Sequence, residues 1–308
     1  MTSRFGRGVT LPVLAMASLS GCGATPVGSD NAPTSAASAY STSAPVAAQL
    51  SGAEKLEVVY GARVGAWVRD TGSGRVVEYR SEERFAHASV LKLLIVGLLL
   101  DRVSDEELDA VTPIEADDIL TYAPVTSQYV GIGLPLREVM RAAVVVSDNT
   151  AANLLITRLG GPAQAQAGLL ALGNDVTRVD RIEPDLNEAR PGDPRDTSTP
   201  AALGATIEQL VLGDALTPGR RDQLQQWLRD NTTGDKAIRA GAPAGWTVGD
   251  KTGNGGYGTR NDAGVLWPPD GGAPVIVVLL SDRGTVDATS DDGLLADTTR
   301  AVFGQLGL

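Results

Sequence analysis

Ala88-Ser89-Val90-Leu91-Lys92 marks the point where a polar stretch, Tyr79-Arg80-Ser81-Glu82-Glu83-Arg84, gives way to an apolar run from Val90 to Leu100. A helix starting here places Ser89 and Lys92 on one face, one turn apart. The lysine amine then falls within hydrogen-bond reach of the hydroxyl. Burial and nearby positive charge lower an amine's pKa, toward that of a base able to take a serine proton. The N–H of Ser89, at a helix N-terminus, is also available to an oxyanion. An isolated S-x-x-K reads more simply as an N-cap serine followed by a helix-face lysine. Lysine is scarce, however, with only Lys55, Lys92, Lys236 and Lys251 in 308 residues. One of those four stands in an apolar run, so it needs partners elsewhere in the chain.

Working outward, strands lie on one side of this stretch and helices on the other. Residues 45–60 have helix composition, with Leu50, Leu56 and Val59 on the expected inner face. Residues 63–69 and 75–79 read as strands joined by the turn Asp70-Thr71-Gly72-Ser73-Gly74, an antiparallel hairpin. Beyond Ser89, helices are expected over 89–102, 105–109, 135–146, 148–159, 162–171, 200–212 and 218–229, broken by turn-rich segments at 121–133 and 174–199. Apolar alternation returns at 247–251, 262–267 and 275–280, and a helix over 289–306 closes the chain. This order predicts an α/β fold whose antiparallel sheet, flanked by helices, is built from both chain ends (about 45–85 and 230–308). An all-helical part (about 86–229) is inserted between them.

The net charge of −11 becomes −13 without residues 1–21, which carry Arg4 and Arg7. An acidic body without a basic patch argues against nucleic acid as a partner. Cys22 is the one cysteine and His87 the one histidine, which excludes an intramolecular disulfide and leaves too few ligands for a zinc site. No metal or other cofactor is expected. His87 reads as a packing residue, because a strand-to-helix turn two residues before Ser89 points it elsewhere.

Residues 1–21 read as an export signal, with a basic start and a short apolar segment from Val9 to Leu19. Leu19-Ser20-Gly21-Cys22 resembles the lipobox of bacterial lipoproteins, which implies cleavage before Cys22 and its lipidation. The Ser/Ala/Thr/Pro-rich residues 22–44 read as a flexible tether, and 45–308 as the folded domain.

Three further motifs follow Ser89. Ser147-Asp148-Asn149 opens a helix; alone it is an N-cap with a polar first turn. Functionally, Ser147 would carry a proton to a leaving nitrogen and Asn149 would donate to a substrate amide. Glu183-Pro184-Asp185-Leu186-Asn187 lies in the irregular 174–199 segment, where Glu183 would act as a general base and Asn187 would hold a water beside it. Lys251-Thr252-Gly253 ends a predicted strand, where Lys251 and Thr252 would meet a substrate carboxylate and Gly253 would let a substrate backbone lie close. The N–H of Asn254 would complete an oxyanion hole with that of Ser89.

Together these residues resemble the class A β-lactamases, whose S-x-x-K, S-D-N and K-T-G motifs occur here in the same order. The separations, 58 residues from Ser89 to Ser147, 36 to Glu183 and 68 to Lys251, agree with the family's to within a couple of residues. Thr121-Tyr122-Ala123-Pro124-Val125, Asn149-Thr150-Ala151-Ala152-Asn153, Asn231-Thr232-Thr233-Gly234 and the run from Lys251 through Asp262 resemble it too.

The resemblance implies a penicillin-type substrate opened in two steps. Ser89 would form an acyl-enzyme, with Lys92 or Glu183 removing its proton, and Glu183 and Asn187 would activate the water that frees it. By position, Tyr122 would wall the entrance and Arg260 would bind the substrate carboxylate, with Arg239 and Arg283 as lesser stand-ins. Arg181 and Asp196 would form a salt bridge closing the loop that carries Glu183. Val90 and Asn254 depart from the family's usual residues, and Ala88 and Gly255 rule out the disulfide found in some carbapenem-hydrolysing members. The implied partner is a small β-lactam met by a monomer outside the cytoplasm, held at the membrane by the lipid alone. Two other readings are a D,D-peptidase or penicillin-binding protein acting on peptidoglycan peptides, and a non-enzymatic binding lipoprotein. The first lacks a deacylating pair such as Glu183 and Asn187. The second would show losses among Ser89, Lys92 and Lys251.

Overall fold

The computed structural model describes residues 47–308. The expected signal peptide, Cys22 and the tether lie outside the described residues. No helix among the described residues is long and apolar enough to cross a membrane.

The chain begins with a two-residue strand β1 (Ala48–Gln49), helix α1 (Ala53–Tyr60) and the hairpin β2 (Arg63–Asp70) and β3 (Val76–Tyr79). After the helical part come β4 (Thr247–Asn254), β5 (Arg260–Trp267) and β6 (Val275–Asp282), then α2 (Asp292–Leu306). One six-stranded sheet results, in the order β1-β3-β2-β6-β5-β4. The C-terminal strand β6 thus sits at its centre, with Val277 opposite Val68 on one side and Gly264 on the other. Residues 275–281 of β6 are all buried, as a strand covered on both faces must be.

Three details differ from the sequence reading. The inserted part is not all-helical, because it holds the short strand pairs Val111–Thr112 with Leu134–Pro135 and Phe85–Ala86 with Thr197–Ser198. The sheet is not wholly antiparallel, because Ala48–Gln49 runs parallel to Val77–Glu78. The helix expected over 45–60 is correspondingly shortened to Ala53–Tyr60, since Gly52 takes a left-handed turn (φ +81°) between strand and helix. This shift rotates the helix face: Ala53 is buried, whereas Val59 is 74 % exposed.

The inserted part is built around α3 (Leu91–Arg102), in which every residue from Leu91 to Leu100 is buried. A helix apolar all round belongs at the centre of a bundle, and α4 (Leu136–Val145), α5 (Asn149–Leu159), α6 (Pro162–Ala171) and α7 (Pro218–Arg229) surround it. Truncating any one of its buried leucines to alanine costs about 2–5 kcal/mol. That packing fixes the first turn of α3, and with it the residues just before it. The larger core joins these helices to one face of the sheet, while the smaller packs α1 and α2 against the other.

Candidate active site

Ser89 sits in a 3-10 turn, Ala88–Val90, that leads directly into α3. Ala88 adopts φ +46°, a conformation that costs a non-glycine residue about 1–2 kcal/mol. The turn is pressed against β4: a Cβ on Gly253 would lie 2.9 Å from the His87 carbonyl oxygen and 3.3 Å from the Ala88 Cβ. Gly253 therefore admits the serine's own turn, a correction to the reading in which it made room for substrate. His87 is fully buried, its ring nitrogens 3.1 Å from the Ala88 carbonyl and 2.8 Å from that of Arg178, as a packing residue requires.

The Ser89 hydroxyl donates to Glu183 Oε1 (3.3 Å), and Lys92 Nζ lies 3.0 Å from the same oxygen. Lys92 also donates to the Ser147 carbonyl (2.8 Å), the Ser147 hydroxyl (3.2 Å) and Asn149 Oδ1 (2.6 Å). The direct serine–lysine contact expected from S-x-x-K spacing is thus replaced by contact through a shared carboxylate. Burial pushes Lys92 below the ordinary lysine range, and Glu183 opposes that shift.

Ser147 lies between α4 and α5 with φ +58°. The cap of α5 is Asp148, whose Oδ1 accepts from the Ala151 N–H, not Ser147. That frees the Ser147 hydroxyl, which bridges Lys92 and Lys251 Nζ (3.0 Å). Asp148 meanwhile receives Val125 N, Thr126 N and the Thr126 hydroxyl, and Asn149 N donates to the Tyr122 carbonyl. These bonds tie the 121–133 segment to the site, where Tyr122 stands half exposed.

Glu183 is carried by a loop whose neck is clamped beside Ser89. Phe85–Ala86 pairs with Thr197–Ser198, His87 N donates to the Asp196 carbonyl, and Arg178 N donates to that of Thr197. The expected Arg181–Asp196 bridge is present at 2.6 Å, and Asp196 Oδ1 also accepts from the N–H groups of Asp180 and Arg181. Asn187 Nδ2 donates to Glu183 Oε2, while Asn187 Oδ1 is buried without a partner among the described residues.

On the opposite wall, Lys251 is fully buried within β4, and its charge is disfavoured first by burial and then by Lys92. Thr252 meets Thr233 hydroxyl to hydroxyl (2.5 Å). Arg260 is held by Asp292 (2.6 Å) and the Thr233 carbonyl (3.1 Å). Arg239 pairs with Asp250, and Arg283 with Asp291; neither lines the cleft. Ser89, Tyr122, Ser147, Asn149, Asn187, Thr252, Asn254 and Arg260 all open on one cleft of about 290 Å³, the size of a small-molecule site. Lys92, Glu183, Lys251 and Gly253 lie just beneath its surface. No group of three metal-ligating side chains occurs among the described residues.

Two contributors had no role assigned from the sequence. Thr233 lines the cleft and positions both Thr252 and Arg260. Asn153 clamps Glu183 by its backbone, donating to its carbonyl (2.9 Å) and accepting from its N–H (2.8 Å). The Asn149-Thr150-Ala151-Ala152-Asn153 spacing, which puts Asn149 and Asn153 one turn apart on α5, was the available signal.

Behind Lys251, the buried carboxyls of Asp250 and Asp262 lie side by side; burial raises both, and the charge of Asp250 adds to the rise of Asp262, which stands well above the ordinary range. A proton on Asp262 gives it a donor toward Asp250. The folded state then binds more protons than the unfolded chain above a pH of about 3.8. The pair's stability contribution is therefore complete below that pH and declines as pH rises through the folded-state pKa. Asparagine at 262 mimics the protonated acid. Urea midpoints measured from about pH 4 to about pH 8 should show Asp262→Asn gaining on the native chain as pH rises; parallel curves would mean that the pair holds no extra proton.

A serine embedded among two buried lysines and a buried glutamate, on an α/β frame with a helical insert, defines a serine hydrolase that works through an acylated intermediate. The beta-lactamase enzyme family matches residues 52–306, and the chain belongs to it. A beta-lactamase of Amycolatopsis lactamdurans is 49 % identical over 253 residues, covering 82 % of this chain and 83 % of that one. The crystal structure of a halotolerant bacterial beta-lactamase superposes with a TM-score of 0.82 at 46 % identity, over 83 % of this chain and 98 % of that one. A class A beta-lactamase from Clostridium kluyveri gives a TM-score of 0.82 at 40 % identity, covering 84 % and 98 %. The chain is a class A serine β-lactamase.

Proposed function

We propose that the chain hydrolyses penicillin-type β-lactams through an ester on Ser89, with Glu183 serving both steps. The observation that carries this reading is the Ser89–Glu183–Lys92 contact, in which one buried carboxylate oxygen faces both the hydroxyl and the ammonium. As an ammonium, Lys92 has no lone pair for the serine proton, whereas Glu183 Oε1 already accepts the Ser89 hydroxyl. Attack of Ser89 Oγ on the lactam carbonyl forms the C–O bond as the proton passes to Glu183. The N–H groups of Ser89 and Asn254 receive the oxyanion. The lactam C–N bond then breaks, and its nitrogen takes a proton through the Ser147 hydroxyl, which is supplied by the lysines beside it. Arg260, Lys251 and Thr252 receive the substrate carboxylate, Asn149 its amide, and Tyr122 its exposed flank.

Before deacylation the proton on Glu183 passes to Lys92 across their 3.0 Å contact, replacing the one given up through Ser147. Glu183, a carboxylate again, then takes a proton from the water that attacks the ester carbonyl and returns it to Ser89 Oγ as the ester C–O bond breaks. The unpartnered Asn187 Oδ1 is an acceptor suited to the second hydrogen of that water. The Leu19-Ser20-Gly21-Cys22 sequence supports export, lipidation at Cys22 and a domain tethered outside the cytoplasm by 22–44. Every group invoked comes from one chain, in keeping with a monomer.

The test mixes the chain with excess benzylpenicillin and follows lactam absorbance and intact protein mass together. Repeated turnover with a fleeting adduct is expected. A long-lived stoichiometric adduct would instead indicate a penicillin-binding protein, and the absence of both adduct and hydrolysis would refute the scheme.

A further inference from the structure

A second cleft, of about 360 Å³, opens between residues 189–195 of the loop and residues 84–86, and shares no lining residue with the substrate cleft. We propose that it binds a phosphoryl oxyanion, a phosphate or diphosphate group, through Arg84, Arg190 and the Thr259 hydroxyl. In a chain of net charge −11, its lining sets four arginines (Arg63, Arg84, Arg190, Arg195) against two aspartates (Asp193, Asp282).

Two of those arginines are already occupied: Arg63 by Asp282, Glu83 and the Arg84 carbonyl, and Arg195 by Asp193 and Glu188. The other two keep free donors. Arg84 is exposed, donates only to the Thr197 hydroxyl (3.1 Å), and has no carboxylate partner among the described residues. Arg190 donates through one nitrogen to Glu188 (2.9 Å) and is otherwise open to solvent. A guanidinium presents five N–H donors in a planar fork that matches phosphate oxygens. Independently, Thr259 lines the cleft, is 1 % exposed, and its hydroxyl has no partner among the described residues. A buried orphan hydroxyl costs free energy until something accepts its proton.

The cleft walls lead straight to the chemistry. Residues 84–86 precede Ser89, the loop carries Glu183, and Thr259 belongs to the turn that follows Lys251-Thr252-Gly253 and is bonded to the loop through Gly256 N and the Asn187 carbonyl.

The test titrates sodium pyrophosphate into the full chain at low ionic strength. Saturable one-to-one binding is expected, weakened about tenfold or more by Arg84→Gln with Arg190→Gln, because each removes a charged hydrogen bond. Thr259→Val should also weaken binding without lowering the melting temperature, since its hydroxyl has no protein partner to lose. Benzylpenicillin turnover without pyrophosphate should be unchanged in these variants. Vesicles of phosphatidylglycerol, compared with phosphatidylcholine, separate the sources. Capture by the anionic vesicles alone, lost in the double variant, assigns the site to a lipid headgroup; pyrophosphate binding without capture assigns it to a soluble phosphate. Absence of both, or binding that survives the double substitution, overturns the proposal.

Discussion

Replacing Glu183 by alanine is expected to leave the chain arrested as a penicilloyl ester on Ser89. Deacylation loses its base, and a positioned general base contributes about 10²–10⁴-fold. Acylation suffers less, for an electrostatic reason. Burial already lowers the Lys92 pKa, and Glu183 is the largest influence opposing it. Removing that carboxylate pushes the amine further toward its neutral form, which has the lone pair needed to accept the serine proton. The mass of the variant after mixing with benzylpenicillin should therefore show a stable adduct at full occupancy. A variant that neither acylates nor turns over would mean that Glu183 is the sole base for both steps. One that turns over normally would remove Glu183 from the mechanism.

Asp196→Ala should act on the same step from a distance. Asp196 is fully buried, pairs with Arg181, and receives two backbone N–H groups at the neck of the loop. Breaking a buried ion pair from one side costs about 3–5 kcal/mol; Arg181, with 17 % of its side chain exposed, recovers part of that from water. The loss falls on the loop, so Glu183 and Asn187 should drift from Ser89 while Lys92 and Ser147 stay in place. A displacement of about 1 Å at a reacting group is worth on the order of 10²-fold in rate. Pre-steady-state kinetics should show deacylation slowed and acylation nearly retained. Unchanged turnover would make the bridge idle, and equal loss of both steps would mean that the loop also shapes the Ser89 turn.

The elements readable from the sequence were those with one dominant periodicity. The helices around α3 and the strand β6 each carry a pattern long enough to exclude the alternative. Ala48–Gln49 is too short to have a period, and its pairing depends on Val77 and Glu78 in a distant strand. The four motifs located the site because their residue types are chemically unusual where they stand, as with a lysine in an apolar run. What the motifs could not convey was which neighbour each polar atom chooses. Lys92 bonds to Glu183, Ser147 and Asn149 rather than to the serine, and Asp148, not Ser147, caps α5. Those choices are made by backbone turns at Ala88 and Ser147 that no local propensity favours. Thr233 and Asn153 went without roles for a related reason, since a single hydroxyl or amide gains meaning only from what the fold places opposite it.

The position of β6 governs when the molecule can come into being. Its pairing of Val277 with Val68 joins residues 209 positions apart, so the central strand is synthesised long after the hairpin it completes. Until it arrives, β2 and β3 have no neighbour to complete the sheet, and α3 has no sheet face to cover. Contacts of such long range slow folding, because the intervening chain must be ordered before they form. The hairpin of β2 and β3 therefore waits for its central partner until the whole helical part has been made.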